Sequence, residues 1–550
     1  MTIDAQVGGL ADRFWESYLE LDPLTATEIG DDRFDGRLDD VSAAGRDKAM
    51  RVYSDALDDA CRMERDGLRE EDHLTIELIE FAGRRGVAHL SSNLDRLRAA
   101  SHIHGPAAIL PSVSSRQRVT DRAGLDRYVQ RLQAMPAYVG GWVEVMREGV
   151  EAKQTSPRLV VDRTIGQLER LLALDPARSP GMAPVAESAP AAKDRVLEVL
   201  RETVWPAHAE FLDALRDYRA HATETIGLHS LPDGEAVYRA AILGYTTLDL
   251  DPAEIAAEGR ARVAEACAEQ QRTAEELGFS SARDAIDGLR TSDRWAASTP
   301  AELVSFSETL VQRGWEAAGQ ILGRLPKSEC RVEAIDPYRE HDAGSAYYVG
   351  PAPDGSRPGV YYVNTSRLED RPLYQLAATA YHEANPGHHL QRSIEIEQSG
   401  LHPLRRYGGI LAGDSYVEGW ALYAERLADE LGLYSDGYQR LGMLEAQAVR
   451  ACRLVVDTGI HAFGWTRDQA IDAMIELGMT RTWAEADVDR YIALPGQALA
   501  YTIGYARVRR WREEAERREG RDFSLSSFHD RLLSLGTLPL ETLENALTRA

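Results

Sequence analysis

The stretch Tyr381-His382-Glu383-Ala384-Asn385-Pro386-Gly387-His388-His389-Leu390 decides how this chain is read. A His-Glu pair leads, and a Gly-His-His cluster follows within two helical turns. In a His-Glu-x-x-His arrangement, histidines at i and i+4 stand one turn apart on one helix face and both reach a single ion. Here the i+4 position is Pro386, and the next histidines stand at i+6 and i+7. On a regular helix His389 shares the face of His382 but lies about 10 Å further along. Two nitrogens on one zinc sit roughly 3–4 Å apart, because each bond is near 2 Å. A straight helix cannot use that pair. Pro386 removes a backbone donor and Gly387 tolerates unusual dihedrals, so a bulge of two residues can return His388 to the second-ligand position. His388 is the expected ligand, with His389 as its neighbour, a substrate contact or the alternative ligand.

A second helical run, Tyr416-Val417-Glu418-Gly419-Trp420-Ala421-Leu422-Tyr423-Ala424-Glu425, offers a third donor. Glu418 lies among aromatic and apolar neighbours, where an unpaired carboxylate is costly to bury and a metal ion removes that cost. Two imidazoles, a distant carboxylate and Glu383 beside the first histidine are the parts of a catalytic zinc site with a general base. One zinc per chain is expected, or another divalent ion, since such donor sets accept several. A lone His-Glu pair is ordinarily a solvated or core pair. Three histidines and a glutamate around Pro-Gly are harder to explain by packing. Asp414, one turn before Glu418, is the candidate to orient a ligand histidine from behind. Glu395 and Glu425 are further acids nearby, with Glu395 a substitute ligand if Glu418 points away.

Composition bounds the remainder. The chain has 550 residues, 44% of them hydrophobic, enough to bury a sizeable core as one large helical domain. We read residues 1–550 as a single domain, long enough for two lobes to flank a cleft. A net charge of −25 argues against nucleic acid as a partner, and no basic run offsets it. The four cysteines, Cys61, Cys267, Cys330 and Cys452, are scattered and form no CxxC pair, which suits a reducing cytoplasm. Met1–Leu10 has no basic region followed by an apolar core, so no signal peptide is expected. No apolar run approaches the roughly 18 residues needed to span a bilayer, so no membrane partner is expected.

Helical periodicity dominates. Asp12–Leu21, Asp121–Arg147, Ala192–Arg219, Pro252–Leu277 and Pro300–Leu322 carry apolar residues at three- and four-residue spacing. Asp251-Pro252 and Thr299-Pro300 read as helix starts, each a capping residue before proline. Asp175–Pro190 is rich in proline, alanine and serine and reads as a long loop within the domain. Strand character is confined to Arg331–Ile335, Ser345–Val349 and Gly359–Thr365, with turns such as Pro351–Gly355 between them. These predict a small antiparallel sheet beside the metal helix, either a structural cap or an edge that pairs with an extended peptide. Tyr361 and Tyr362 in the last strand are candidate substrate contacts.

A third cluster lies further on. Asp457 and His461 stand at i and i+4 on one helix, which ends at Ala462-Phe463-Gly464-Trp465 before a new start at Thr466. Pro495-Gly496-Gln497 and Tyr501 follow, combining polar groups with small residues; Gln497 is a candidate substrate contact and Asp457 a supporting acid. A carbonyl under attack by water develops negative charge, so a donor is expected opposite the metal, and His461 and Tyr501 are the candidates. There is no G-x-S-x-G elbow and no phosphate-binding loop.

These blocks, His382–Gln391, Glu418–Glu425, Asp457–His461 and Pro495–Gly504, with Phe528-His529-Asp530 and Gly536–Leu540, resemble the bacterial family called domain of unknown function 885 over nearly the whole chain. That family is similar in fold to the thermostable bacterial (Taq-like) zinc carboxypeptidases and to angiotensin-converting enzyme. The resemblance implies a mostly α, large helical zinc-peptidase-like fold with a deep cleft. It implies His382, His388 and Glu418 as metal ligands, Glu383 as the base, and Tyr501 or His461 as oxyanion donors. The implied activity is zinc-dependent hydrolysis of a peptide or other small amide. Two alternatives remain open: hydrolysis of non-peptide amides or esters, and a binding protein that kept the fold and lost turnover.

Overall fold

The computed structural model describes residues 4–335, 340, 344–352, 355 and 357–548, and these are mostly helical with one small three-stranded sheet. The first helix, Ala5–Leu21, begins seven residues before its expected start because the Asp4 carboxylate accepts from the amides of Gln6 and Val7. It buries Val7, Leu10, Phe14 and Tyr18, one stripe at helical spacing. The expected Asp121–Arg147 helix is two, Arg122–Gln133 and Met135–Ala152, broken where Pro136 cannot continue the preceding turn. The expected Ala192–Arg219 helix runs Pro190–Val199 and Trp205–Tyr218 through one wide π turn, Leu200–Val204, just before Pro206. Between these regions, 175–190 is a packed loop of two short 3-10 turns. Its Gly181 carbonyl accepts from the Tyr128 hydroxyl at 2.7 Å, and Val185 is fully buried.

Seven helices surround the site and are labelled here in chain order. They are α1 (Pro252–Glu276), α2 (Pro300–Ala318), α3 (Leu373–Glu383), α4 (His388–Ile396), α5 (Ser415–Glu430), α6 (Gly437–His461) and α7 (Ala500–Glu519). Asp251 and Thr299 cap α1 and α2 through their side chains, as their positions before proline predict. Helix α3 is held between α2 and α6, and α6 lies along α1. Helices α5 and α7 cross where Gly419 meets Gly504. A Cβ on Gly504 would lie 1.8 Å from the Ser415 carbonyl oxygen, so only glycine permits this approach.

The sheet corrects the antiparallel expectation. Strands β1 (Cys330–Ala334), β2 (Ala346–Val349) and β3 (Gly359–Val363) lie in the order β1-β3-β2, with β1 parallel and β2 antiparallel to β3. Strand β3 takes the centre because it is the apolar one: Val360, Tyr361 and Val363 are buried, whereas β1 and β2 are partly exposed. In the expected Pro351–Gly355 turn, Pro353 and Asp354 lie outside the described residues, as do Met1–Ile3 of the N-terminal reading. No helix among the described residues is long and apolar enough to cross a membrane.

Candidate metal centre

The sequence predicts a bulged helix through the histidines; the structure has two helices with a break. Helix α3 stops at Glu383, and after four intervening residues α4 starts at His388. Three contacts fix the break. The His389 amide donates to the Ala384 carbonyl at 3.1 Å, and the Gln391 amide to that of Gly387 at 3.2 Å. The Trp420 indole N–H, from α5, donates to the Pro386 carbonyl at 3.0 Å. Gly387 packs so closely on α3 that a Cβ there would lie 1.9 Å from the His382 carbonyl oxygen. The break turns His388 back toward His382, and their ring centres lie 4.9 Å apart, edge to face.

Helix α5 brings the third donor. Glu418 Oε2 is 3.3 Å from His382 Nε2 and 3.6 Å from His388 Nε2, and one donor atom from each residue lies within 4.8 Å of the others. Donors bound at about 2.1 Å to a tetrahedral ion stand about 3.4 Å apart, close to the 3.3 and 3.6 Å from Glu418 to the two rings. Glu418 Oε2 is also buried without a conventional hydrogen bond among the described residues, an acceptor aimed into the space between the rings. The donor set fits a divalent ion.

Behind His382 stands a group the sequence reading left unassigned. Glu425 Oε1 lies 2.8 Å from His382 Nδ1, and Arg450 lies 3.4 Å from the same oxygen. This carboxylate sets the tautomer that leaves Nε2 free as a ligand. Its signal was present: Glu425 follows Glu418 by seven residues, two turns on the same face. Burial works against a charge on His382, but Glu418 and Glu425 outweigh it and hold the imidazolium up to about 9. Burial likewise opposes charge on Glu418, but the two histidines pull its carboxyl far below the ordinary range.

The other candidates fall into three groups. Tyr501 stacks near His382 with ring centres 6.5 Å apart, and the Arg453 guanidinium lies 4.7 Å from its centroid. Burial and the Glu418 carboxylate push its phenol upward, so it is a proton donor at neutral pH. Gln497 accepts from Arg490 at 2.8 Å, and its amide nitrogen is 3.5 Å from Asp414. Asp414, half-buried before α5, does not reach a ligand histidine by hydrogen bond; Glu425 holds that place.

Asp457 and His461 are buried but not bonded to each other. Asp457 accepts from the Tyr238 hydroxyl at 2.6 Å and the Gly496 amide at 3.1 Å, so it anchors the loop that carries Gln497. Burial pushes its carboxyl up to about 7, against those two donors. His461 Nε2 is 3.0 Å from the Tyr491 carbonyl oxygen, and burial pulls the ring down to about 4. Asp457 thus joins α6 to its neighbours, whereas His461 keeps a buried Nδ1 with no hydrogen-bond partner among the described residues.

His389 faces the sheet. It is fully buried, with Nδ1 2.9 Å from the Tyr348 hydroxyl and Nε2 3.0 Å from the Ser328 carbonyl oxygen. Tyr361 is a core residue of β3, and Tyr362 stacks on Tyr347 with ring centres 4.9 Å apart. Glu395 is taken up by Arg392 at 2.6 Å and the Thr537 amide at 2.9 Å. Glu383, at the end of α3, is partly exposed and makes no hydrogen bond or ion pair among the described residues. Its charge bears on Tyr361 and Cys330 of the sheet, which places it on the sheet side of the break.

The chain is thus mostly helical, with two histidines at a helix break and a glutamate from α5 converging on one point. The chain belongs to the DUF885 family of bacterial proteins of unknown function, whose model matches residues 23–547. Two solved structures share the fold. A candidate lipoprotein from Colwellia psychrerythraea superposes with a TM-score of 0.91 at 24% identity, covering 100% of this chain and 99% of that one. A candidate lipoprotein of unknown function from Shewanella oneidensis gives a TM-score of 0.76 at 19% identity, covering 99% and 100%. No curated protein sequence matches the chain.

Proposed function

We propose that the protein is a zinc-dependent hydrolase, most simply a peptidase of carboxypeptidase or oligopeptidase type. In plan it would be akin to the thermostable bacterial carboxypeptidases and angiotensin-converting enzyme. The observation that carries this reading is the convergence of His382, His388 and Glu418 donor atoms within 4.8 Å. A divalent ion bound there supplies a Lewis acid and a water acidic enough to attack at neutral pH. Glu383, adjacent to a ligand and uncommitted, takes the proton of the attacking water and passes it to the leaving amine. The Tyr501 hydroxyl donates to the carbonyl oxygen as it becomes negative, and Arg453 over its ring holds it in place. Glu425 keeps His382 in the ligand tautomer. An extended peptide has two sheet edges, β1 and β2, on which to pair. The four free thiols fit a reducing cytoplasm.

The test is hydrolysis of a mixed peptide pool, read by mass spectrometry, with wild type and Glu383→Gln. New termini that appear with wild type and not with the variant support the reading. Cleavage that survives Glu383→Gln, or no cleavage by zinc-loaded wild type, overturns it.

A further inference from the structure

Two arginines stand beside the metal centre on the Tyr501 side. Tyr501 itself is 6.5 Å from His382 between ring centres. Arg453 of α6 lies 4.7 Å from the Tyr501 centroid, and its Nε donates to the Tyr491 hydroxyl at 2.9 Å. Arg490, on the helix Arg481–Ala493, lies 4.9 Å from the Tyr491 centroid and donates through Nη1 to Gln497 Oε1 at 2.8 Å. Gln497 is also a hydrogen-bond partner of the Tyr501 hydroxyl. One side-chain amide therefore separates that hydroxyl from the Arg490 guanidinium.

The two guanidiniums share a single carboxylate. Asp487 accepts from Arg453 at 3.2 Å and from Arg490 at 3.5 Å, the second a weak contact. Burial opposes charge on Asp487, but the two arginines hold its carboxyl below the ordinary range. The other charges nearby are taken up elsewhere. Arg450 lies 3.4 Å from Glu425 behind His382, Glu418 is a metal donor, and Asp414 is acted on by Arg85 and the Gln497 amide. Arg453 acts on Arg490 as a like charge, a repulsion that a second carboxylate would relieve. Arg453 Nη1 and Arg490 Nε make no hydrogen bond among the described residues. The side chains keep 13% and 29% of their surface exposed, so both can be reached from solvent.

A guanidinium fork takes a carboxylate through two parallel hydrogen bonds. We propose that Arg490, with Arg453 beside it, receives a carboxylate of the substrate one residue past the scissile bond. The reach of the peptide sets that place: one residue spans about 3.3–3.6 Å, comparable with the single amide between Tyr501 and Arg490. The carboxylate is either the peptide's own C-terminus or an aspartate or glutamate side chain there. This rests on the peptidase reading above and names the substrate class of that same site.

The experiment is calorimetric titration of zinc-loaded, full-length Glu383→Gln protein with three probes: N-acetyl-Ala-Ala-Ala, its C-terminal amide, and N-acetyl-Ala-Ala-Asp amide. At least one anionic probe is expected to bind on the order of tenfold tighter than the neutral amide. Which one does so tells whether the terminal carboxylate or the side chain is the source. Adding Arg490→Gln is expected to abolish the difference, and Arg490→Lys to keep part of it, since the charge remains and the fork is lost. A measurement independent of those variants is phenylglyoxal labelling of Arg490 mapped by mass spectrometry, which the tighter probe should block. Equal affinities for the three, no binding, a preference that survives Arg490→Gln as a carboxylate on the metal would, or labelling unchanged by saturating probe would overturn the proposal. The two readings fail separately: carboxylate preference without peptide hydrolysis removes the peptidase, and hydrolysis indifferent to both carboxylates removes this site.

Discussion

His382 Nδ1 and Glu425 Oε1 lie 2.8 Å apart, both on buried side chains, with Glu418 on the opposite ring nitrogen at 3.3 Å. One imidazole is thus held between two carboxylates that stand two turns apart on one face of α5. A carboxylate on Nδ1 fixes the ring and raises the basicity of Nε2, which is what a metal ligand requires.

Removing that carboxylate's charge tests its role. Glu425→Gln keeps the volume but weakens the hold on His382, and metal affinity is expected to fall about 10- to 100-fold. Competition against a chelating dye measures this. An unchanged affinity would show that Glu425 serves packing alone.

The pH dependence has a definite sign. His382 in the metal-free protein is held up to about 9, above its ordinary value near 6.5. Its imidazolium therefore contributes stability that is fully present below about pH 6.5 and is lost as pH rises through about 9. A bound ion needs the neutral ring, so proton and metal compete. Between those pH values the Tm of metal-free protein is expected to fall, and metal affinity to rise. Affinity that stays flat over this range would contradict the assignment of His382.

Gly387 is expected to tolerate no side chain. A Cβ there would meet the backbone oxygens of His382 at 1.9 Å and Tyr381 at 2.4 Å, and neither can move without unwinding α3. Gly387→Ala should cost about 3 kcal/mol in urea unfolding and lower metal occupancy. Gly400→Ala, with nothing within 4 Å of its Cβ, is the control and should change neither.

Tyr501→Phe separates binding from chemistry. If the hydroxyl meets the developing oxyanion, kcat falls by about 10²- to 10³-fold while KM moves little. Metal content should be unchanged. A rise in KM at constant kcat would make Tyr501 a binding residue instead.

Local signals were legible in the sequence, and long-range partners were not. Asp251 and Thr299 cap their helices because the preference of an oxygen-bearing side chain before proline is a local matter. The Pro-Gly interruption favoured His388, with His389 kept as the alternative, and it is His388 that turns toward His382, across a helix break rather than a bulge. Sheet order was hidden: sequence neighbours suggested hairpins, while burial of Val360 and Tyr361 placed β3 in the middle. Asp457 and His461 looked like a pair at helical spacing. Tyr238, 219 positions away from Asp457, claims that carboxylate, and no local pattern carries such a contact.

Metal content by plasma mass spectrometry on untagged wild type, His388→Ala and His389→Ala tests the central claim most directly. His389 is fully buried between Tyr348 and Ser328, so its loss should lower stability and leave the ion in place. The account predicts near one zinc per chain in wild type and His389→Ala, and none in His388→Ala. Wild type that stays empty after zinc reconstitution, or metal lost only with His389→Ala, would contradict it.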